Sequence, residues 1–519
     1  MIRLHAASAA DRRGWPPALV CGITLIVFAV YAKLLGGLAK SPSAAWGSIG
    51  SVVIVCALAS KVSCRDLPDA VRILLRGLVI ACGLYNLLLF PDFPVIASRL
   101  GEHAEAGIHA AWLAAAVAAV LAWQRPAWLL FCAFYAFWIK QVAGWVTGFR
   151  YHTLLDVQPL YQMPAYLAIA VVVHRLLRRQ QADPQKTWRA VLWVAIAMQA
   201  ANYVVAGVAK VTLNGSFLEW PLHNDTTNIL LVALHNKQLL WGDASRLADA
   251  AIGGLWAVQR PLAVVLLLAQ LGMIAAFSHK RVMLGLFVVV DLMHIGIFGV
   301  VGANFWSWFM VNLAIIAAVA RVPAAAFGWR SGLVGAALIA IAPALIKVMP
   351  LAWYDTRAVN SLYFEMVDDA GQATRVPNTF FGFYSYPIAH MSFGLPPGAY
   401  LPTLTNGGTP KSRIRTQAEQ CRFSSTESPF MKDWNAETMQ RFVEAYHRHA
   451  VGKANAEGHW SNALYPHHFW SALSVEQAFS QVDLRRIRHY RLVIESDCLD
   501  KTGAVSQALY RNEFIFDIR

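Results

Sequence analysis

Charge is what this chain has least of. Asp, Glu, Lys and Arg make up only 14% of its 519 residues, against about 25% in a soluble globular protein. That shortage excludes an ordinary soluble domain over most of the length. Before residue 351 there are 27 basic but only 13 acidic residues; from 351 onward there are 17 of each. The whole net charge of +14 therefore belongs to the apolar part. A nucleic-acid binder would cluster its basic residues on a polar domain. Here they sit between apolar runs, which excludes nucleic-acid partners and matches charges that hold loops on the cytoplasmic side.

Cysteine is sparse as well. Five of the seven, Cys21, Cys56, Cys64, Cys82 and Cys132, lie in or beside apolar runs. His447, His449, His459, His467 and His468 cluster in the tail, but no cysteine or carboxylate completes a zinc spacing, so no metal site is assigned. The chain has no phosphate-binding glycine loop, no serine nucleophile elbow and no haem-attachment motif. Arg12 and Arg13 precede an apolar run too long for a signal peptide and without a convincing cleavage site. We expect it to be retained as a first span.

What is present is a series of long apolar runs, at 17–38, 44–62, 70–90, 105–124, 126–148, 158–177, 188–209, 259–278, 282–301, 303–320 and 331–350. Each approaches the ~20 residues that cross about 30 Å of hydrocarbon. The expected fold is a polytopic α-helical membrane protein of about eleven spans, followed by a C-terminal, β-rich α+β domain outside the membrane. Domain limits are 1–16 for a cytoplasmic N-terminus, 17–350 for the helical part and 351–519 for the tail. Arg and Lys recur at alternate connections, for example at Lys61 and Arg65, Arg175 to Arg189, and Lys280 with Arg281. This places the N-terminus in the cytoplasm and the tail on the opposite side, which for a bacterial inner membrane is the periplasm. An oxidising compartment favours pairing of lone cysteines, so a Cys421–Cys498 disulfide is expected.

The tail begins near Trp353. Ser361–Val367 alternates like a strand and runs into a turn at Asp368–Gly371. Residues 432–450 have helical spacing, with Trp434, Met439, Phe442, Val443 and Tyr446 to one side. His489–Leu499 and Ala504–Ile518 read as a closing strand pair.

An ionisable group inside a span costs at least ~2.5 kcal/mol to insert, so each is a functional candidate. Lys140 and Gln141 lie in the fifth span, with Arg150, Tyr151, His152, Asp156 and Gln158 beyond it. Gln199, Asn202 and Lys210 belong to the seventh. Asp291 and His294 share a face of the ninth, and Asn304 and Asn312 belong to the tenth. Each has a structural reading too. Lys210 is either a snorkelling helix-end lysine or a site amine; Asp291 and His294 are either a structural pair or part of a site. Arg150 and His152 also read as loop residues, and Trp306 and Trp308 as interfacial aromatics.

Gln199 to Lys210, reading QAANYVVAGVAK, resembles the tyrosine–alanine–glycine–lysine segment of the vitamin K-dependent γ-carboxylase-like membrane family. That family is also described as the horizontally transferred transmembrane (HTTM) domain. Asp291-Leu-Met-His294, followed by Phe305 and Asn312, is similar to its histidine-bearing helix and aromatic-rich helix. Arg150-Tyr151-His152 is similar to its histidine loop. The resemblance covers about 130–320. It implies that Lys210 is a base acting on a quinone-like or other lipid cofactor, supported by His294 and His152 as catalytic residues. Asn202, Tyr203, Asp291 and Trp306 are then expected to line the cofactor, and Lys210 is expected to look inward onto His294. A protein or peptide substrate on the non-cytoplasmic side is implied as well. Two departures stand out: the family has two adjacent lysines where this chain has Ala209-Lys210, and its early tryptophan is delayed here to Trp220. Chemistry gives a reason for such a lysine, because an amine against a greasy pocket is poorly solvated as an ammonium and keeps its lone pair available. The alternative function is non-catalytic: a scaffold, lipid handler or transporter whose outer domain binds a partner.

Overall fold

The computed structural model describes the chain except for residues 1–14, 39–41, 89–101, 148–156, 178–180, 214–215, 390–400, 402, 404–406, 410–411, 423–434, 461–468 and 519. The helical part runs α1 (Pro17–Leu38), α2 (Pro42–Ala59), α3 (Asp69–Leu88), α4 (Glu102–Ala122), α5 (Leu129–Thr147), α6 (Gln158–Leu177) and α7 (Pro184–Thr212). Two short helices follow, α8 (Glu219–His223) and α9 (Thr226–His235). Then come α10 (Ser245–Gly272), α11 (Lys280–Val301), α12 (Trp306–Ala320) and α13 (Trp329–Leu345).

Among the described residues, eight helices are long and apolar enough to cross a membrane, and four more are apolar but shorter. The runs expected at 44–62, 303–320 and 331–350 appear as shorter helices, with apolar stretches Trp46–Ala59, Trp306–Ala320 and Trp329–Leu345. The fourth short one, α9, was not read as an element. The helix α10 begins at Ser245, well ahead of the expected 259.

The outer faces of these helices carry large apolar side chains in the open: Leu58 is 73% exposed, Val120 76% and Leu292 61%. In water such a surface would be an aggregation liability; facing lipid tails it costs nothing. The chain is a helical membrane protein with a C-terminal sheet region. Inside the bundle, α5, α6 and α7 form the centre, where Tyr135, Trp138, Tyr166 and Lys140 are fully buried.

The tail contains β1 (Tyr354–Asp355), β2 (Ala358–Asp368), β3 (Ala373–Arg375), α14 (Ser385–Ala389), β4 (Gly408–Thr409) and α15 (Ser412–Glu419). It continues with α16 (Ala436–Lys453), α17 (Leu473–Phe479), β5 (Ile487–Leu499) and β6 (Val505–Asp517). Four strands make one antiparallel sheet in the order β3-β2-β5-β6, with Leu362 opposite Ile494 and Leu492 opposite Phe514. Gly371 supplies the left-handed residue of the turn between β2 and β3 at φ +81°. Asp368 Oδ1 accepts from the Ala370 and Gln372 amides there. Met439, Phe442, Val443 and Tyr446 of α16 are buried in the same core as Phe364, Tyr490 and Leu492 of the sheet. Trp434 lies outside the described residues. A disulfide joins Cys421 to Cys498.

The tail is docked onto the bundle by specific bonds. Tyr384 Oη donates to the Ala143 carbonyl at 3.0 Å, and Ser361 Oγ to Asn236 Oδ1 at 2.6 Å.

Candidate functional site

The expectation is that Lys210 and His294 share one site. The structure builds two polar clusters on one face of α7. Gln199 and Tyr203 are four residues apart and Lys210 is seven beyond Tyr203, so all three share a stripe of the helix. Tyr203 and Lys210 are nevertheless about two turns, or roughly 10 Å, apart along the axis.

The inner cluster is buried among α7, α11 and α12. Asn312 Nδ2 donates to both Tyr203 Oη and Asp291 Oδ1, each at 2.7 Å. Gln199 Nε2 donates to Asn312 Oδ1 at 3.0 Å. His294 Nδ1 stands 3.8 Å from Asp291 Oδ1, within ion-pair range but too far for a hydrogen bond. Asp291 Oδ2 and His294 Nδ1 find no hydrogen-bond partner among the described residues. The imidazole is caged by aromatic rings, with centroids of Phe305 at 5.6 Å, Tyr203 at 5.9 Å and Trp308 at 6.0 Å.

Two expected lining residues fall elsewhere. Trp306 stacks on Tyr85 of α3 with centroids 5.8 Å apart. The reason is helical phase: Trp306 precedes Trp308 by two residues, a rotation of about 200°. Trp308, read as interfacial, is instead buried against His294. Asn202 turns away from Tyr203 and accepts from Gln158 Nε2 of α6 at 2.8 Å. His152, with Arg150, Tyr151 and Asp156, lies outside the described residues.

The outer cluster forms where α7 ends and the tail begins. Lys210 is half-buried. Its Nζ donates to the Leu351 carbonyl at 2.8 Å and, weakly, to Ala206 O at 3.5 Å. It does not look onto His294, as expected from the sequence; the bond to Leu351 and the axial separation direct it outward. The Trp220 ring lies over the amine, 5.2 Å from centroid to Nζ. The short helix α8 carries Trp220 back onto the end of α7. Trp220 Nε1 donates to the Trp353 carbonyl at 2.8 Å.

Asp355 completes the outer cluster and was not anticipated. It is 7% exposed and near enough to act electrostatically on Lys210. Asn224 Nδ2 donates to Asp355 Oδ2 at 2.8 Å, and Trp353 Nε1 to Oδ1 at 2.9 Å. Asn224 Oδ1 in turn accepts from the Asp355 amide at 2.7 Å. Arg260 of α10 holds the Asn224 carbonyl at 2.6 Å. Burial pushes the Asp355 carboxyl up to about 6, against the two side-chain hydrogen bonds that favour its ionised form. No local motif marks Asp355; only its position beside β4 and α9 makes it part of the site.

Among the described residues no three His, Cys, Asp or Glu side chains are grouped to hold a metal. His447 is spent in packing, 3.3 Å from Tyr490 Oη, and burial pushes its imidazole down to about 4. No family model matches this chain, and neither the curated proteins nor the solved structures contain a match. The reading of the site therefore rests on its own chemistry.

The outer cluster has the parts a quinol-like head group needs: an amine, two indoles and a carboxylate. Val208, Phe217, Leu218 and Leu222, close by in sequence, are each about half exposed (47–51%) and offer apolar surface for a lipid tail. The residues fit such a cofactor.

Proposed function

We propose that this chain is a membrane enzyme of the γ-carboxylase-like (HTTM) kind, in which Lys210 is the base of a site opening on the non-cytoplasmic face. The observation that carries the reading is the setting of the Lys210 amine, held between the Leu351 carbonyl and the face of Trp220 with Asp355 beside it.

An uncharged lysine keeps two N–H donors, enough for the Leu351 and Ala206 carbonyls, and has one lone pair left to accept a proton. The ammonium then formed is favoured by the indole face and by the Asp355 carboxylate. A bound quinol would supply the acidic hydroxyl and the oxidisable ring. Trp220 and Trp353 would hold that ring. Tyr203, Asp291 and His294, two turns deeper, would support the site from within. The substrate would be a protein or peptide on the same side.

Lys and Arg alternation supports a cytoplasmic N-terminus and a tail across a bacterial inner membrane. The Cys421–Cys498 disulfide favours the same side for the tail.

The test is turnover by the purified chain in lipid nanodiscs. Reduced naphthoquinone, oxygen, bicarbonate and a glutamate-containing peptide are added, and quinone oxidation and peptide carboxylation are followed. Product above the protein-free rate supports the enzyme.

A second reading has its own observation. The bond from Lys210 to Leu351 ties α7 to the start of the tail, so the lysine also serves as a clamp in a non-catalytic scaffold. That reading is preferred if the wild-type chain turns over nothing while loss of Lys210 loosens the tail.

A further inference from the structure

The strand β6 is an edge of the tail sheet. One side of it pairs with β5, and among the described residues no strand pairs with the other side. It is 13 residues long, where a strand usually has about 5–6. A long open edge is a template for a further strand.

One bond tells which backbone groups face outward. The Ile518 amide donates to the Arg488 carbonyl of β5 at 2.8 Å. Antiparallel pairing alternates, so Phe516, Phe514, Asn512 and Tyr510 turn their backbone groups toward β5, while Ile515, Glu513 and Arg511 turn theirs outward. In keeping with this, the Glu513 amide donates to the side chain of its own neighbour, Asn512 Oδ1, at 2.8 Å. The open stretch has two limits. Gln440 Nε2 of α16 donates to the Asp517 carbonyl at 2.6 Å and closes one end. A register shift at Asp497 leaves Leu509 in a bulge and closes the other.

The stretch between these limits is complementary to itself. Leu509-Tyr510-Arg511-Asn512-Glu513-Phe514-Ile515 reads from either end as aliphatic, aromatic, charged and asparagine, with the two charges opposite in sign. Two copies laid antiparallel about a two-fold axis at Asn512 set Arg511 of each against Glu513 of the other, and Tyr510 against Phe514. Arg511 and Glu513, both facing outward, then exchange both N–H···O bonds, and the two Asn512 amides meet across the close pair on the axis. Ile515, 61% exposed, falls beside Leu509 at the bulge. An axis at Arg511 or Glu513 would oppose like charges, so the charges select the register about Asn512. The sheet face itself is balanced: Arg511 pairs with Glu495 and Glu513, and Arg491 with Glu365 and Glu513. It has no excess charge to repel a second copy.

We propose that β6 is the interface of a two-fold dimer, pairing with β6 of a second copy of this chain about Asn512. The two four-stranded sheets then run on as one. One patch meets itself, as a two-fold interface requires. The inference is independent of the Lys210 chemistry.

The experiment is oxidative cross-linking of the full-length chain in native membranes, carrying either Asn512→Cys or Ile515→Cys, with copper phenanthroline and a non-reducing gel. The wild-type chain is the background; Cys421 and Cys498 are bonded to each other and the other five cysteines are buried. In the proposed register the two residues at 512 have Cα atoms about 4.5 Å apart, within disulfide reach. The two residues at 515 are offset by six positions, about 20 Å. Asn512→Cys should give a product of twice the chain mass, and Ile515→Cys should stay at background. Adding Glu513→Arg to Asn512→Cys should abolish the product by setting Arg against Arg. Adding Arg511→Glu as well should restore it, which separates lost pairing from lost folding. The proposal is overturned by no dimer from Asn512→Cys, by equal cross-linking at 512 and 515, or by a product of another mass, which would give the edge to a strand of a different protein. A cross-link indifferent to Glu513→Arg, or one that the double exchange does not restore, overturns it too.

Discussion

Trp220 holds its indole over the amine of Lys210, 5.2 Å from ring centroid to Nζ. The two lie on different helices, and their meeting fixes the outer end of α7 against the first residues of the tail. Through Trp353 and Asp355 the C-terminal sheet region meets the end of α7. The tail is then a component of the proposed active site rather than an appended module.

Asn312 is the hub of the inner cluster, bonding Tyr203, Asp291 and Gln199 at once. Asn312→Leu should leave these buried groups without their partner, at about 1–3 kcal/mol for each group stranded. Melting in detergent should fall clearly below wild type. A wild-type melting point would mean that these groups are satisfied in another way.

Asp355 carries a pH signature. Its carboxyl is raised from 3.8 to about 6 by burial. A raised acid stabilises the fold while protonated, so its contribution is complete below about pH 4 and is lost as the pH rises through 6. Wild type should lose stability relative to Asp355→Asn across this window, by up to about 1.4 kcal/mol per pH unit. Parallel unfolding curves for the two proteins from pH 4 to 7 would refute the assignment.

The disulfide makes a topological prediction. Cys421 and Cys498 are 77 residues apart, so reducing the bond should destabilise the tail by roughly 2–4 kcal/mol. In cells, mass-tagging of free thiols should find both cysteines protected. Tagging of both in the native protein would place the tail in a reducing compartment and reverse the proposed orientation.

The spans and the closing strand pair were legible because each has a period. Apolar runs of span length mark α1, α6 and α11. Alternation marks β2, and β5 with β6 emerge within a residue or two of the expected limits. The site was less legible. Ile229 to Ala233 is an apolar run too short to stand out, so α9 was missed. The separate placements of Trp306 and Trp308 depend on where α12 begins, which composition does not mark. Asp355 could not be found because its link to Lys210 joins residues far apart in the chain, and nothing periodic records such a contact. Lys210 itself was visible as a lysine closing an apolar helix, but the direction of its amine was set by the Leu351 carbonyl.

The most direct test of the account is turnover of reduced naphthoquinone in nanodiscs by wild type, Lys210→Ala and Asp355→Asn, with melting measured on each sample. Lys210→Ala should retain its fold and lose at least about 100-fold in rate, the scale of a missing general base. Asp355→Asn should turn over more slowly than wild type but faster than Lys210→Ala. Turnover by Lys210→Ala at the wild-type rate would contradict the assignment of this amine as the base.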